Sequence, residues 1–313
     1  PVTRPARGRR DTRWAASTTV ERPVRDTGNV SGFRPATIVF VHGSWHGSWC
    51  WEQVRPRLEK RGIAVRTLDL PSCGRDPGRL ADLAGDTQAV GQVLDRIDGS
   101  IVVCAHSYGG APATAAVAGH ERVRHLVYLS AFMLDSGESC AVITGGSLPS
   151  WCVVKEDGTF MIDPAAAPDI LYGDCDQRTQ DRAIRRLVPQ LRVTATQTIS
   201  SAGWRRCPST YVVCTQDHAI PPPTQRRLAE RAGETVELTS SHSPFLSQPE
   251  AVAEVCWLIE PVGSERLRNG ERAPRRRPLR AGGAMRRTLA PQRSRSLRSL
   301  SRGLCWRAAS AGR

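Results

Sequence analysis

The chain lacks several features that particular protein classes require. It has no run of about 18 apolar residues, so we predict no membrane-spanning helix. Ten cysteines are present, but none forms a C-x-x-C pair, and the spacing therefore gives no support to a zinc site. Nine of them lie between residues 35 and 260, several inside apolar runs. This placement predicts buried free thiols that pack as small hydrophobic side chains.

Positive charge is scarce in the middle of the chain and concentrated at its ends. Residues 1–34 contain 8 Arg and 3 acidic residues, and residues 261–313 contain 15 Arg and 2 Glu. Because the whole chain carries +14, residues 35–260 carry about −4 and are mildly acidic. Both ends lack Lys and any sustained apolar period. We therefore predict disordered basic tails at 1–34 and 262–313 around one domain at 35–261.

The tails suggest no clear partner. No aromatic residues interleave with the arginines, so we expect no nucleic-acid binding, although an arm for nucleic acid or an anionic surface stays a competing hypothesis. The chain begins at Pro1 and its first methionine is Met133. We expect the tails to be incidental, like GC-rich sequence translated beyond a gene's natural ends. Arg9-Arg10 is not followed by an apolar region, so we expect a cytoplasmic protein.

The middle segment alternates short apolar runs with helix-like stretches. The expected strands are Thr37–Val41, Ser100–Cys104, His125–Leu129 and Thr210–Cys214, with weaker candidates at Ala64–Leu68 and Thr235–Leu238. The expected helices are Trp51–Arg61, Leu80–Ile97, Gly109–Gly119, Pro222–Ala232 and Pro249–Ile259. Continuous apolar strands that alternate with helices predict an α/β fold with a mostly parallel sheet and helices on both faces.

One long stretch interrupts this alternation. From about residue 133 to residue 206 the sequence has several Gly and Pro residues and only one helical pattern, near Gln180–Leu191. An insertion of this length in an α/β sheet is typical of a cap over the site. We predict a cap at 133–206, with a purely structural excursion as the alternative.

A serine follows the strand at Ser100–Cys104 in the sequence Ala105-His106-Ser107-Tyr108-Gly109-Gly110. A strand, a tight turn with small flanking residues and a following helix are typical of a nucleophile elbow. Such a turn exposes the Ser107 oxygen and presents the backbone N–H of Tyr108 to an oxyanion. We therefore predict Ser107 as a nucleophile.

A general base and an acid follow in the order that this chemistry needs. Asp217 comes just after the strand Thr210–Cys214, and His242 just after Thr235–Leu238. The carboxyl ends of parallel strands share one sheet edge, so Ser107, Asp217 and His242 are predicted to form a triad. His218 is an alternative base and Asp135 an alternative acid. His106 lies inside the turn and is expected to point away from the site. His120 and His125 flank a helix–strand connection and are expected to be packed or solvated.

Two histidines four residues apart lie in VHGSWHGSWCW, Val41 to Trp51. On a helix, His42 and His46 could bind one metal ion. They follow a predicted strand, however, and so lie on a loop, where the helical argument fails. We predict no metal there.

The quoted motifs resemble a known family. FVHGSWHGSWCW, RGIAVRTLDLPSCG, AHSYGG, LVYLSAFMLDSGE, YVVCTQDHAIP and SSHSPFLSQP are similar to α/β-hydrolases of the methylesterase and hydroxynitrile-lyase group, including bacterial esterases. The resemblance covers Thr37–Pro261 and excludes the tails. It implies an α/β-hydrolase fold and a Ser107–His242–Asp217 triad. It also implies an oxyanion hole from the backbone N–H groups of Ser44 and Tyr108, and no metal or organic cofactor.

The resemblance also separates possible reactions. The lyase branch implies a threonine after the first loop histidine and a lysine after the catalytic histidine, where this chain has Gly43 and Ser243. A serine nucleophile excludes the aspartate-based dehalogenase scheme and favours acyl transfer. We predict a serine esterase, with lactonase, thioesterase or lyase-like activity, or binding without catalysis, as alternatives.

The substrate is expected to be a small hydrophobic ester, and a homodimer is possible. The residues that we predict to bind it lie on the first loop and in the cap: Gly43, Trp45, Trp151, Phe160 and Trp204. For the aromatic residues, plain core packing is the alternative interpretation.

Overall fold

The computed structural model describes residues 36–259 and 286–289. The predicted tail at 1–34, and all of 262–313 apart from those four residues, lie outside the described residues. Within the described part of the chain, no helix is both long enough and apolar enough to cross a membrane.

The described strands form two sheets. In chain order they are β1 (Thr37–Val41), β2 (Val65–Thr67), β3 (Ile101–His106), β4 (Val123–Leu129), β5 (Cys152–Val154), β6 (Thr159–Ile162), β7 (Gln190–Leu191), β8 (Ser209–Cys214), β9 (Glu234–Leu238) and β10 (Arg286–Leu289). The main sheet has the order β10-β9-β8-β4-β3-β1-β2, and β5, β6 and β7 form a small separate sheet. Strands β1 to β4, β8 and β9 are mutually parallel. The predicted parallel sheet is confirmed.

The edge strand β10 was not expected. It pairs antiparallel with β9, with Arg286 opposite Glu237 and Leu289 opposite Glu234. These four residues therefore differ from the predicted disorder of 262–313. Without a neighbour, the edge of β9 would present unpaired backbone N–H and C=O groups, and a paired strand supplies their hydrogen-bond partners.

Helices connect the parallel strands. The α-helices are α1 (Arg55–Glu59), α2 (Leu83–Asp95), α3 (Gly110–Val117), α4 (Cys140–Ile143), α5 (Ala167–Tyr172), α6 (Gln177–Ile184), α7 (Pro222–Ala229), α8 (Pro244–Ser247) and α9 (Pro249–Ile259). Five short 3₁₀ turns lie at Ser48–Trp51, Pro77–Arg79, Ser107–Gly109, Arg192–Ala195 and Gly203–Arg205. The predicted helices are present: α9 has the predicted bounds, and α2, α3 and α7 are shorter than predicted. The first predicted helix is split between a 3₁₀ turn and α1.

Both faces of the sheet are buried. Alternate residues of β1 and β3 belong to different cores, with Val39 and Val103 on one side and Phe40 and Cys104 on the other. Every residue of β3 and β8 is buried. Strands covered on both sides have no solvent face, which explains their continuous apolar sequence.

The strand order places the site. From β1 the chain moves outward to β2 and then returns to β3 on the other side of β1. The order therefore reverses between β1 and β3, and open α/β sheets bind ligands outside the carboxyl ends of strands at such a point. The loop after β1 and the turn after β3 both open into this crevice.

The insertion at 133–206 has more structure than its sequence pattern indicates. It contains α4, the antiparallel strands β5 to β7, α5 and α6. The helix predicted at Gln180–Leu191 is wrong in position: α6 ends at Ile184, and Gln190–Leu191 is strand β7. Pro189 cannot continue a helix, and the backbone around it binds the main domain through Val188 N–H to Trp45 O and Leu191 N–H to Ser72 O.

Candidate active site

Ser107 lies in a strained turn at the end of β3. Its φ is +51°, a left-handed conformation that is unfavourable for a residue with a side chain. The 3₁₀ turn Ser107–Gly109 follows directly and α3 begins at Gly110. Phe132 N–H donates to the Ser107 carbonyl at 3.0 Å and ties the turn to the end of the next strand. This strand–turn–helix arrangement is the one that the sequence predicts.

Gly109, the last residue of this turn, must be small for a reason that the sequence alone does not show. A Cβ on Gly109 would lie 2.3 Å from the carbonyl oxygen of His42 and 2.9 Å from that of Val41. Gly109 is therefore needed because the turn after β3 approaches the backbone at the end of β1 and in the loop that follows it. This close approach brings the turn next to the predicted oxyanion loop.

The three predicted catalytic side chains form one hydrogen-bonded chain. His242 Nε2 lies 3.0 Å from Ser107 Oγ, and His242 Nδ1 lies 2.7 Å from Asp217 Oδ2. Asp217 and His242 are almost completely buried, at 1% and 2% exposed. A nucleophile within reach of a base that a third group orients is the geometry required for nucleophilic catalysis.

Asp217 is held by five donors. The N–H groups of Ala219 and Ile220 donate to Oδ1 at 2.7 and 2.9 Å. The Gln225 amide donates to Oδ2 at 2.9 Å, where the Ser130 hydroxyl and His242 Nδ1 also bind. Hydrogen bonds to the charged form offset the cost of burying a carboxylate. They also fix which oxygen faces His242.

The rival residues lie away from Ser107. Asp135 pairs with Arg205, whose hydrogen bond is the main cause of the lowered pKa of that carboxyl. His218 is largely exposed and lies 3.1 Å from Asp169 in the cap. His125 binds Thr210 Oγ1, and burial lowers its pKa to about 4. The structure thus brings together Asp217 and His242, and not their alternatives.

His106 has a supporting position behind the triad. Its Nε2 donates to the backbone carbonyl of His242 at 2.9 Å, and the two ring centroids lie 4.6 Å apart. Burial, with a smaller contribution from His242, lowers its pKa well below the ordinary value. His106 is therefore an uncharged residue that holds the backbone of the base.

The two histidines of the first loop orient its backbone. His42 Nε2 accepts from Leu70 N–H at 2.9 Å, so Nδ1 carries the proton and donates to the Gly43 carbonyl at 2.8 Å. His46 Nδ1 donates to the Ser44 carbonyl at 2.7 Å, and its Nε2 accepts from the Tyr172 hydroxyl at 2.9 Å. Burial lowers the pKa of His42, and that of His46 to about 3. Both rings are neutral and all four ring nitrogens are engaged in hydrogen bonds.

This arrangement explains the direction of the Ser44 N–H. The C=O of Gly43 and the N–H of Ser44 belong to one planar peptide and point in opposite directions. Since His42 binds that C=O, the N–H is directed the other way, and Ser44 itself lines the cavity with Ser107 and Tyr108. Among the described residues the Ser44 N–H has no hydrogen-bond acceptor. A free donor beside a nucleophile suits an oxyanion.

We expect Ser44→Pro and Ser44→Ala to have very different activities. Proline removes the backbone N–H, and loss of one oxyanion donor lowers kcat by about 10²–10³-fold. Alanine keeps the N–H, so its kcat should stay within about 3-fold of wild type, since only the hydroxyl is lost. Steady-state kinetics on a p-nitrophenyl ester measures both, with melting temperatures to confirm that the loop has not unfolded. Equal losses in the two variants would show that the N–H is not the donor.

An apolar cavity opens above Ser107. Trp45, Trp151 and Phe160 form one aromatic wall, and Trp45 Nε1–H donates to the Phe160 carbonyl at 3.1 Å. Phe132 and Ile220 contribute from the main domain, and more than half of the lining comes from the segment 133–206. No Lys, Arg, Asp or Glu among the described residues lines it. The cavity therefore suits an uncharged hydrophobic group.

Two of the residues predicted to bind substrate are placed elsewhere. Trp204 donates to the Leu134 carbonyl at 2.7 Å and stacks beneath Arg205, so it is a packing residue outside the cavity. Gly43 does not line the cavity either. A Cβ there would lie 2.6 Å from Ser107 Cβ, so glycine is needed for the loop to pack against the nucleophile.

The cap segment 167–174 contacts all three loops of the site. Tyr172 binds His46 of the first loop, and Asp174 accepts from the hydroxyl of Ser241, which precedes the base. Asp169 lies next to His218 of the loop that carries Asp217. The sequence analysis missed these residues. Their only signal was polar character beside an apolar helix face, which is too common to single them out.

Known proteins resemble the chain in sequence and in fold. Residues 38–255 match the model of the alpha/beta hydrolase family. The chain is 28% identical to alpha/beta hydrolase nvfD of Aspergillus novofumigatus, over 71% of this chain and 95% of that protein. It is 26% identical to methylesterase 9 of Arabidopsis thaliana, over 69% and 94%. The crystal structure of a pyrethroid hydrolase from Sphingobium faniae JZ-2 superposes with a TM-score of 0.62 at 23% identity, over 72% and 97%.

The family match covers residues 38–255 and leaves out both ends of the chain. The family match spans well over half of the chain, and both curated relatives align along nearly their whole length. The resemblance to the methylesterase group that the motifs indicate is confirmed. The chain belongs to the α/β-hydrolase family.

Proposed function

We propose that the protein hydrolyses small, uncharged, hydrophobic carboxylic esters through an acyl-enzyme on Ser107. The observation that carries this proposal is the chain Ser107–His242–Asp217, which opens directly into an apolar cavity. Relatives named methylesterase support the same reaction class. A small-molecule substrate, a cytoplasmic location and the absence of a nucleic-acid partner belong to the same proposal.

The first half of the reaction transfers the acyl group. Ser107 Oγ attacks the ester carbonyl carbon while His242 Nε2 takes the hydroxyl proton, and Asp217 stabilises the imidazolium that forms. The carbonyl oxygen becomes an oxyanion that accepts from the N–H groups of Ser44 and Tyr108. Tyr108 is the second residue of its 3₁₀ turn, where an N–H has no acceptor within the helix. His242 then gives its proton to the leaving alcohol.

The second half releases the acid. Water attacks the acyl carbonyl, His242 takes a proton from that water, and the same two N–H groups bind the second oxyanion. Ser107 leaves with the proton held by His242, which restores the enzyme. Lactones and thioesters fit the same steps. A lyase reaction is not favoured, because the cavity has no lysine among its described lining residues and Ser243 follows the base.

A matched pair of esters tests the substrate class. We expect turnover of p-nitrophenyl butyrate, and at least about 10-fold lower kcat/KM for mono-p-nitrophenyl succinate, because the cavity would bury its carboxylate without a partner. The two esters share a leaving group and similar length, so they differ mainly in charge. Equal kcat/KM values would contradict the assignment of an uncharged substrate.

A fluorophosphonate probe separates an enzyme from a binding protein. Labelling of Ser107, located by peptide mass spectrometry, is expected because His242 activates the hydroxyl. Absence of both labelling and ester turnover would favour a non-catalytic member of the fold.

A further inference from the structure

Ser130 contacts two members of the triad and has no part in the reaction steps above. It follows β4 directly, on the same sheet edge as Ser107, and it is completely buried. Its hydroxyl binds Asp217 Oδ2, the oxygen that also binds His242, and its Oγ lies 3.2 Å from His242 Nδ1. Ser130, Asp217 and His242 thus form a closed triangle of polar atoms.

The backbone of Ser130 is in an unfavourable conformation. Its φ is +43°, one of three positive values among the described non-glycine residues, and the others belong to Trp45 and to Ser107 itself. Ser130 N–H donates to the Val212 carbonyl at 2.9 Å, which holds the residue against β8. A strained backbone persists where the surrounding structure enforces it, and here it directs the hydroxyl at the triad.

The direction of the hydrogen bonds follows from the chemistry of each group. An ionised carboxylate only accepts, so the single hydroxyl proton of Ser130 is donated to Asp217. The lone pairs of Ser130 Oγ then face the Nδ1–H of His242, which has Asp217 as its main acceptor at 2.7 Å and Ser130 as a longer, secondary one. The charge-assisted bond to the carboxylate is the stronger of the two contacts that Ser130 makes.

We propose that Ser130 is a positioning residue of the triad, which draws negative charge from Asp217 and thereby limits how strongly Asp217 stabilises protonated His242. Without its hydroxyl, Oδ2 has one donor fewer and its charge acts more fully on His242. Protonated His242 would then persist to a higher pH, and His242 could act as a base only above that pH. The role in catalysis rests on the proposed esterase function.

Several buried titratable groups around the triangle keep a constant charge. Burial lowers the pKa of His106 well below its usual value and that of His46 to about 3, so both are neutral. Burial raises the pKa values of Tyr211 and Cys214, which face Asp217, and both are also neutral. Burial by itself would raise the pKa of Asp174, but several hydrogen bonds, first from Ser241, together outweigh burial and lower that pKa, so Asp174 stays ionised. None of these buried groups therefore adds a change of charge of its own to the pH dependence near the triad.

The test compares pH–rate profiles of the full chain as wild type, Ser130→Ala and Ser130→Gly. We expect the midpoint of the acidic limb of kcat/KM to move up by about 0.5–1 pH unit in both variants. Alanine keeps the Cβ and the strained backbone, whereas glycine relieves the strain. A common shift therefore assigns the effect to the hydroxyl. Thr215→Val is the matched control, because it removes a hydroxyl that binds the Leu238 carbonyl and not the triad.

A purely structural role would give another result. A lower plateau with an unmoved midpoint, or a shift in only one of the two variants, would overturn the proposal. The His242 Nδ1 proton, followed by proton NMR across the same pH range, gives a readout that needs no substrate. If wild type hydrolyses no ester, the esterase proposal fails, while a shifted NMR titration in both variants would still support the contact and an unshifted one would refute it.

Discussion

Ser107→Ala is expected to reduce kcat/KM on p-nitrophenyl butyrate by about 10⁴-fold or more, because no acyl-enzyme can form. The remaining rate would come from the oxyanion donors and from binding alone. Alanine keeps the Cβ, so the strain at φ +51° and the packing of Gly43 against that atom are unchanged. The fold should therefore survive, which circular dichroism and the melting temperature will show.

Ser147, an exposed serine in the insertion at 133–206, supplies the control. Ser147→Ala should keep wild-type turnover and fluorophosphonate labelling, whereas Ser107→Ala should lose both. Ester turnover that persists in a folded Ser107→Ala protein would remove Ser107 from its proposed role.

The sheet and the triad could be predicted because both depend on local signals. A strand covered on both faces must be apolar throughout, so β1, β3, β4 and β8 are visible as short Val- and Ile-rich runs. The strand ends then place Ser107 and Asp217 on one edge without any knowledge of packing. The order of nucleophile, acid and base along the chain then favoured Asp217 and His242 over their alternatives.

The structure inside the insertion at 133–206 could not be predicted in this way, because pairings between distant segments form it. The small sheet joins Phe160 to Gln190, and Cys73 of the main domain forms a further bridge to Gln190. Strands of two to four residues carry too few positions for a period to show. For the same reason Trp204 was wrongly predicted to bind substrate. Its aromatic character indicated packing against other residues, but only the arrangement of distant segments decides which residues it contacts.

Side-chain hydrogen bonds between distant segments also could not be predicted from the sequence. Ser130 and Asp217 are 87 positions apart, and Tyr172 and His46 are 126 apart. Sequence reasoning followed ionisable residues at strand ends and passed over a serine in the same kind of position. Ser130 could have been found by examining every polar residue that directly follows a buried strand, since β4 ends at the same edge as β3.

The five donors around Asp217 also predict a large effect for Asp217→Asn. The amide oxygen would take the place that accepts from Ala219 and Ile220, so the NH₂ group would face His242. Nδ1 must then accept instead of donate, and the proton moves to Nε2, where it faces Ser107. A histidine in that tautomer cannot take the serine proton, and we expect kcat to fall by about 10⁴-fold with little change in KM.

Asp135→Asn is the matched control, because Asp135 is the other carboxylate at a strand end that the sequence offered as the acid. It forms an ion pair with the largely exposed Arg205, and exposed pairs of this kind contribute little to stability. We expect wild-type kcat and a melting temperature within a few degrees of wild type. A large loss of kcat in Asp135→Asn with activity retained in Asp217→Asn would reverse the assignment. The opposite pattern would tie catalysis to the carboxylate that Ser130, Gln225 and two backbone N–H groups hold against His242.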